Sequence, residues 1–423
     1  MSFISEDSIS EIFTNCIKSR LIHQENDTSV IFYDFNQLAN RISTLKAAFP
    51  DNTVHTSAIK ANPIIKVLEK INELGLGVEA ASEGELFLAK KSGFNSNQIV
   101  FDSPAKTRKE IEFAIESGIY INADSFMELE RIHELNNLIK PLSRIGLRIN
   151  PQVGYGTIAA TSVGGDYSKF GVPLKEYRIE IIEAFLIYKW LSGIHMHIGS
   201  QGCSMQMLLN GFESGLQLIT DIQLKTGNNI RFFDIGGGLP VSYHHDQNPP
   251  DINEYGTKIQ ELLKQYKLEN LQLITEFGRY LHTNSGFTIS KVEYVKQYID
   301  SNTLIIHAGA DLFLRECLNL GQWFHEFTLL DKNGKIKVSN SKIKYHIAGP
   351  LCFAGDIIAR DIELPKADEG DYLVIHDTGA YTFGMWSKYV SRMFPKIIGI
   401  TGKSFEIIRN RETPEDIYKF WSV

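Results

Sequence analysis

The sequence predicts an α/β protein: a (β/α)8 barrel over about residues 35–285, then a β-rich domain, sandwich-like or barrel-like, over 286–423. Residues 1–34 precede the barrel and are expected to pack on the β-rich domain. Three observations lead there. Eight short, β-prone apolar runs alternate with amphipathic stretches before residue 285. The first four runs begin roughly 22 residues apart, the length of a strand, a helix and two short loops. After 285, strand-like runs follow one another with little helix between them.

In chain order the runs are HTSAIKA from 55, LGVEAA from 76, QIVFDS from 98, YINAD from 120, RIGLRIN from 144, GIHMHIG from 193, FFDIGG from 232 and LQLITEFG from 271. Between the first five lie IIKVLEKINELG, EGELFLAKKSG, TRKEIEFAIESG and SFMELERIHELN. These place apolar residues three and four apart among charges, as a helix lying on a sheet does. An open, doubly wound sheet is the alternative for eight parallel strands; the regular period favours closure. Beyond 285, SGFTISKVEYVKQ, TLIIHAGA, KIKYHIAG, DYLVIHDTGAY and KSFEIIRN read as strands separated by turns.

Composition narrows the function classes. The chain has 423 residues, 43% hydrophobic and 22% charged, typical of a globular enzyme. A formal charge of −7 argues against a nucleic-acid partner, which would need a basic face. The opening MSFISEDSISEIF carries acids where a secretory leader carries bases, and no run approaches the ~18 apolar residues of a membrane span. Cys16, Cys203, Cys317 and Cys352 are scattered, with no CxxC pair. That fits neither a disulfide framework nor a zinc site, so no metal is expected and a cytoplasmic setting is.

Barrel enzymes work at the C-terminal ends of their strands. The polar groups there are Lys60, Glu79, Arg148, His197, Gly236 to Gly238, and Glu276 with Arg279. Lys60, in AIKANP, is either a snorkelling surface lysine or a desolvated amine able to form a Schiff base. Gly236, Gly237 and Gly238, in DIGGGLP, make either a plain turn or a bare backbone that holds a phosphate after the seventh strand. His197, in HMHIGSQ, shares a face with His195. The two suggest a metal pair without an evident third ligand, or an imidazole stacked on a flat cofactor. Glu276, in TEFGR, either pairs with Arg279 or holds a pyridine nitrogen protonated. A Schiff-base lysine, a phosphate cradle, a stacking histidine and a carboxylate, in barrel order, together call for pyridoxal 5′-phosphate.

With AIKANP, SKFG (168–171), HIGSQ, DIGGGLP, EFGR, GPLCFAGD (349–356) and DTGAYT in this order, the chain resembles the fold-type III pyridoxal-phosphate decarboxylases over about residues 30–400. Within that group, which also holds alanine racemase and ornithine decarboxylase, it is most similar to diaminopimelate decarboxylase. The resemblance implies that Lys60 carries the cofactor and His197 stacks on its ring. It implies that Ser200, Gly236–Gly238 and Tyr381 hold the phosphate, that Glu276 pairs with the ring nitrogen, and that Glu79 and Arg148 line the cofactor site. Carbon dioxide would leave the substrate by way of an external aldimine and a quinonoid, and Cys352 would return a proton to Cα. A thiol, ordinarily ionising near ~8.5, suits that step. In the family this cysteine comes from the second subunit of a homodimer with shared active sites.

Two departures bear on the substrate. Diaminopimelate enzymes carry glutamate after the cysteine, against the distal amine, and ornithine enzymes carry aspartate. Here the residue is Phe353, which offers an ammonium only a weaker cation–π contact. The family's arginine–tyrosine pair for the distal carboxylate falls on RECLN, keeping Arg315 and placing Asn319 where the tyrosine stands. Arg279 and Arg315 without an acid suggest an amino acid with an acyl or carboxylate tail, as in siderophore-type pathways, in place of meso-diaminopimelate. Asp311, Glu316 or Asp356 would restore the missing acid if one of them reached the site. The other readings are a true diaminopimelate, ornithine or lysine decarboxylase, an amino-acid racemase, and a non-catalytic pyridoxal-phosphate-binding regulator.

Overall fold

Parallel strands covered by helices are buried on both faces and need nearly continuous apolar sequence. In the computed structural model, which describes residues 4–136, 144–158, 163–299 and 301–423, all eight runs form strands of this kind. They are Val54–Ala58, Gly77–Ala80, Ile99–Asp102, Tyr120–Ala123, Ile145–Asn150, Leu191–His195, Phe232–Asp234 and Gln272–Glu276. Each lies parallel to the next, and the eighth pairs with the first through Ile274 on Val54 and Glu276 on Thr56, so the sheet closes. The open-sheet alternative is thereby excluded.

Local chemistry starts and stops the helices. Ile65–Glu73, Glu83–Lys91, Arg108–Ser117 and Phe126–Asn136 follow the first four strands. For Arg108–Ser117 the Thr107 hydroxyl accepts from the Glu110 amide while the Glu110 carboxylate accepts from the Thr107 amide, and Gly118 ends the helix at φ 73°. Ser204 and Asp251 cap Met205–Thr226 and Ile252–Gln265 one-sidedly, their side-chain oxygens accepting from first-turn amides.

The bottom of the barrel is filled by one ring. Phe232 packs with Val100, Tyr120 and Ile274, and its ring meets that of Tyr120 edge-on at 5.5 Å. Two neighbouring strands make room for it by having glycine: a Cβ on Gly193 would lie 2.3 Å from the Phe232 ring, and one on Gly146 3.1 Å. The alternation of large and absent side chains is how a narrow barrel packs its interior.

The chain forms two compact units, Asn40–Val241 with Asn248–Leu281, and Met1–Ala39 with Ser242–Gln247 and His282–Val423. The second is the β-rich one. Its longest strand, Gly286–Gln297, pairs antiparallel with Ser29–Asp34, Asn302–Ile306 and Tyr372–Ile375. Ser29–Asp34 pairs on its other edge with Lys396–Thr401. The helix Glu6–Lys18 lays Ile9, Phe13 and Cys16 into a core with Val30, Phe32, Phe287 and Tyr372. Four strands of this unit go beyond the sequence reading: Ser29–Asp34, Phe327–Leu330, Ile357–Leu364 and Lys396–Thr401. No helix among the described residues is long and apolar enough to cross a membrane.

Phe232→Ala removes the plug while both glycines stay, leaving a cavity that the strands cannot close. The expected cost is ~3–5 kcal/mol, read as a lowered denaturant midpoint with circular dichroism.

Candidate active site

The polar groups that end the barrel strands are organised around a buried charge layer. Arg148, on the fifth strand, places Nη1 3.1 Å from Asp102 Oδ2 and 3.6 Å from Asp124 Oδ1, and its guanidinium lies 4.5 Å from the centre of the Phe170 ring. Burial alone would raise the Asp102 carboxyl; Arg148 foremost, with His195 and Lys106, holds it below the usual carboxylate range. Asp124, with less help, is pushed by burial up to about 6. Asn122 Nδ2 donates to Asp234 Oδ2 at 2.9 Å, and Asp234 Oδ1 accepts from the Gly236 amide at 3.0 Å. Arg148 is therefore engaged with internal carboxylates.

His195 closes the layer. Its ring nitrogens lie 3.7 Å from Asp102 Oδ1 and 3.7 Å from Glu276 Oε2, and burial keeps it neutral, far below the ordinary histidine range. His197 lies two residues beyond the strand end at His195, a correction to its expected place on the strand. Its Nδ1 accepts from the Gly237 amide at 3.2 Å and is 3.8 Å from Glu276 Oε2. Burial, then Arg148 and Lys60, lower it to about 4. His195, His197 and Glu276 bring three potential ligand atoms within 4.8 Å of one another, a proximity with Glu276 that spacing had hidden. Burial first, and then Glu79, push the Glu276 carboxyl well above its ordinary value.

Lys60 sits one turn past the first strand, in Ile59–Ala61. Its ammonium pairs with the buried Glu79 carboxylate, and its side chain is 44% exposed. Of the two readings, the structure shows a partly exposed side chain whose amine is held by a buried acid. Burial raises Glu79, against the pull of Lys60. Arg279 is buried and donates from Nε to Ser200 Oγ at 3.2 Å, while Glu276 faces the two histidines.

In the β-rich unit, Cys352 is exposed in the turn 349–356, and Phe353 beside it is 42% exposed. The Tyr389 hydroxyl donates to the Cys352 carbonyl at 3.2 Å. Asp356 pins the turn, accepting from the amides of Ala310 and Leu351 at 2.5 and 2.6 Å. Asp311 accepts from the Gly309 amide and faces Arg392, and Glu316 faces His325 at 3.2 Å and Arg315 at 3.5 Å. All three candidate replacement acids thus have internal partners. The Arg315 guanidinium lies 4.1 Å from the Trp323 ring and 5.6 Å from the Tyr381 ring, with Tyr381 in the left-handed region at φ 56°. Its Nε and Nη1 are buried with no hydrogen-bond partner among the described residues. Asn319 follows the short helix Leu314–Leu318, its amide donating to the Arg315 carbonyl at 2.9 Å.

Sequence reasoning did not single out Asp102, Asp124, Asn122, Asp234, Phe170 or Trp323. Four of these end strand runs in QIVFDS, YINAD and FFDIGG, and a carboxylate ending an apolar strand is itself a signal.

The family described as pyridoxal-dependent decarboxylase, pyridoxal binding domain, matches residues 35–283. The chain belongs to the pyridoxal-dependent decarboxylases. A diaminopimelate decarboxylase of Aquifex aeolicus is 31% identical over 404 residues, 95% of this chain and 93% of that one. The crystal structure of diaminopimelate decarboxylase from Helicobacter pylori complexed with L-lysine superposes with a TM-score of 0.84 at 29% identity, covering 96% of this chain and 98% of that one. The lysine/ornithine decarboxylase of Vibrio vulnificus, at 20% identity and a TM-score of 0.76, shares the fold; it covers 92% of this chain and 98% of its own. This decarboxylase is a carboxy-lyase that uses pyridoxal phosphate and acts on an amino acid.

The barrel mouth fits that cofactor on its own geometry. Glu276 Oε1 is buried and has no hydrogen-bond partner among the described residues, an oxygen suited to a ring nitrogen. The glycine turn is backbone packed against backbone: a Cβ on Gly237 would lie 2.4 Å from the Glu276 carbonyl oxygen and one on Gly238 2.5 Å from that of Gly199. Gly236 and Gly238 adopt φ 64° and 103°, open to glycine alone at low cost.

A neutral buried histidine makes the empty barrel acid-sensitive. An unfolded chain protonates His197 near 6.5 and the folded one only at about 4, so the unfolded state binds more protons between those values and stability falls as pH drops through them. His55, lowered by burial to about 4, acts in the same direction. The buried carboxyls of Asp124, raised to about 6, and of Asp234 and Glu276 act in the opposite direction, so the readout is the difference between proteins: from pH 7 to 5 the cofactor-free parent should lose more unfolding midpoint, or gain less, than His197→Gln.

Proposed function

We propose that this decarboxylase acts on an amino acid whose distal end carries a carboxylate and no free ammonium. The observation that carries the reading is Arg315: a guanidinium flanked by Trp323 and Tyr381 with two buried, unpartnered nitrogens. A buried unpaired donor costs ~1–3 kcal/mol, which a substrate carboxylate would recover. Phe353 supports the reading, since an aromatic ring stands where the resembling enzymes hold an acid. So do Asp311, Glu316 and Asp356, each engaged inside the protein. The names of the relatives support a second reading, meso-diaminopimelate itself.

In this proposal Lys60 holds the cofactor, with Glu79 orienting its amine. The Gly236–Gly238 turn, Ser200 and Tyr381 hold the phosphate, and Glu276 meets the ring nitrogen while His197 covers the ring face. When bound, pyridoxal phosphate supplies a sink for the electrons left as carbon dioxide departs. Burial at Glu276 excludes water from the ring nitrogen's partner and strengthens that contact. Cys352, supplied by a second copy of the chain, donates its Sγ proton to the substrate Cα. Arg279 and Arg315 serve substrate recognition, with Asn319 and Phe353 shaping the space for its tail.

A decarboxylation screen tests this reading. It would compare meso-diaminopimelate, lysine, ornithine and arginine with N-acylated diaminopropionate-type acids. The acidic or acylated compounds should give the highest kcat/KM; a higher value for meso-diaminopimelate than for all of them would install the second reading. Phe353→Glu should shift preference toward meso-diaminopimelate by about tenfold or more, one hydrogen bond to a charged group being worth ~1.5–3 kcal/mol. Cys352→Ala should keep the cofactor's colour and lose amine production by ~10²-fold or more; unchanged turnover would remove Cys352 from the reaction.

A further inference from the structure

The loop 242–247 belongs to the β-rich unit and carries chemistry that decarboxylation does not use. It presents two adjacent imidazoles, His244 and His245, stacked with ring centres 4.6 Å apart and planes 22° from parallel. Ligand atoms of His244, His245 and Asp246 all lie within 4.8 Å of one another. A second carboxylate arrives from far along the chain. Glu326 Oε1 is 2.6 Å from His245 Nδ1 and 3.6 Å from His244 Nε2, and it also accepts from the His245 amide at 3.1 Å. Asp246 Oδ1 meets His244 Nδ1 on the opposite side.

The loop is built to hold these groups still. Tyr243 is buried edge-on against the His325 ring at 5.4 Å. The Tyr243 amide donates to the Gln247 side chain at 2.8 Å, and the Ser242 hydroxyl donates to the Gln247 carbonyl at 3.0 Å. Asn284 Nδ2 donates to the Ser242 carbonyl at 3.1 Å. Glu326 itself directly precedes the strand Phe327–Leu330. Two stacked imidazoles and two carboxylates within a few ångströms, on a fixed loop and a strand end, form a ligand set for a borderline divalent ion, with nitrogen donors disfavouring magnesium and calcium.

We propose that His244 and His245, with a carboxylate from Glu326 or Asp246, bind a divalent transition-metal ion of the zinc class. Bound there, the ion replaces the proton shared by His245 and Glu326 and ties loop 242–247 to the strand that Glu326 precedes. The site lies apart from the Lys60 and Cys352 chemistry in its residues, so the proposal stands independently of the substrate reading.

Isothermal titration of the tag-free holoenzyme with zinc chloride, and with magnesium chloride as the hard-ion control, tests it. One zinc per chain should bind, magnesium should give no heat, and His244→Ala/His245→Ala should abolish zinc binding while decarboxylation in metal-free buffer stays unchanged. Glu326→Gln, a milder change, should weaken zinc by about tenfold and keeps the test open if the double variant unfolds. No zinc uptake by the unaltered holoenzyme overturns the proposal, because the four groups are then only a surface ion-pair cluster. Equal uptake by the double variant also overturns it, because the ion then sits on another group such as the exposed Cys352 thiol.

Discussion

The barrel is organised by the need to keep carboxylates inside it. Asp102, Asp124, Asp234, Glu79 and Glu276 all lie buried in one unit, and isolated buried charges of one sign are far too costly to tolerate. Arg148 answers the first two directly, with Phe170 under its guanidinium, and Lys60 answers Glu79. Asp234 and Glu276 have no cation of their own, and both carboxyls are pushed well above their ordinary values by burial and by neighbouring acids. The interior thus separates into carboxylates paired with cations and carboxyls whose affinity for a proton burial raises.

That separation explains why the site is arranged as it is. A carboxyl with a raised affinity for protons, an unpartnered oxygen and neutral histidines beside it is prepared to share a proton with a basic ring nitrogen. The neutrality of His195 and His197 matters as much as the acid: a charged imidazole 3.7 Å from Glu276 would ionise that carboxyl and take up its capacity. The Gly237 amide donating to His197 Nδ1 fixes that nitrogen as an acceptor and so fixes the tautomer. One glycine turn therefore sets both the bare cradle and the state of the ring above it.

How far this was legible from sequence follows from the range of each interaction. The eight barrel strands announce themselves because each is a local apolar run, and the residues that end them carry the site, so Lys60, Glu79, Glu276 and the glycine turn could be named directly. Ser29–Asp34 could not, although SVIFYD is apolar, because its partners are Gly286–Ser290 and Lys396–Ile400, hundreds of residues away. The pairing of Arg148 with Asp102 and Asp124, and of Lys60 with Glu79, is likewise a product of barrel closure, and no spacing rule encodes it. Sequence left two readings of Lys60 open because its apolar flanks are not its whole environment: Ile59 and Ala61 are buried, and the intervening side chain is partly exposed and reaches the buried Glu79 carboxylate.

The two halves of the chemistry differ in how freely they can change. Residues in the barrel layer touch one another: removing Arg148 strands Asp102, and a side chain at Gly237 collides with the backbone of Glu276. Such positions are fixed by folding before they are fixed by catalysis. The Cys352 turn is pinned differently, by Asp356 binding two backbone amides, so its shape depends little on the side chain at 353. The Phe353 ring lies over Gly355 of the same turn and stays half in solvent. If Phe353 meets the far end of the substrate, as proposed, it can be exchanged without disturbing the barrel groups. On that physical ground, shared decarboxylation chemistry leaves the substrate open, and in the proposed reading it is Phe353 and Arg315 that select it.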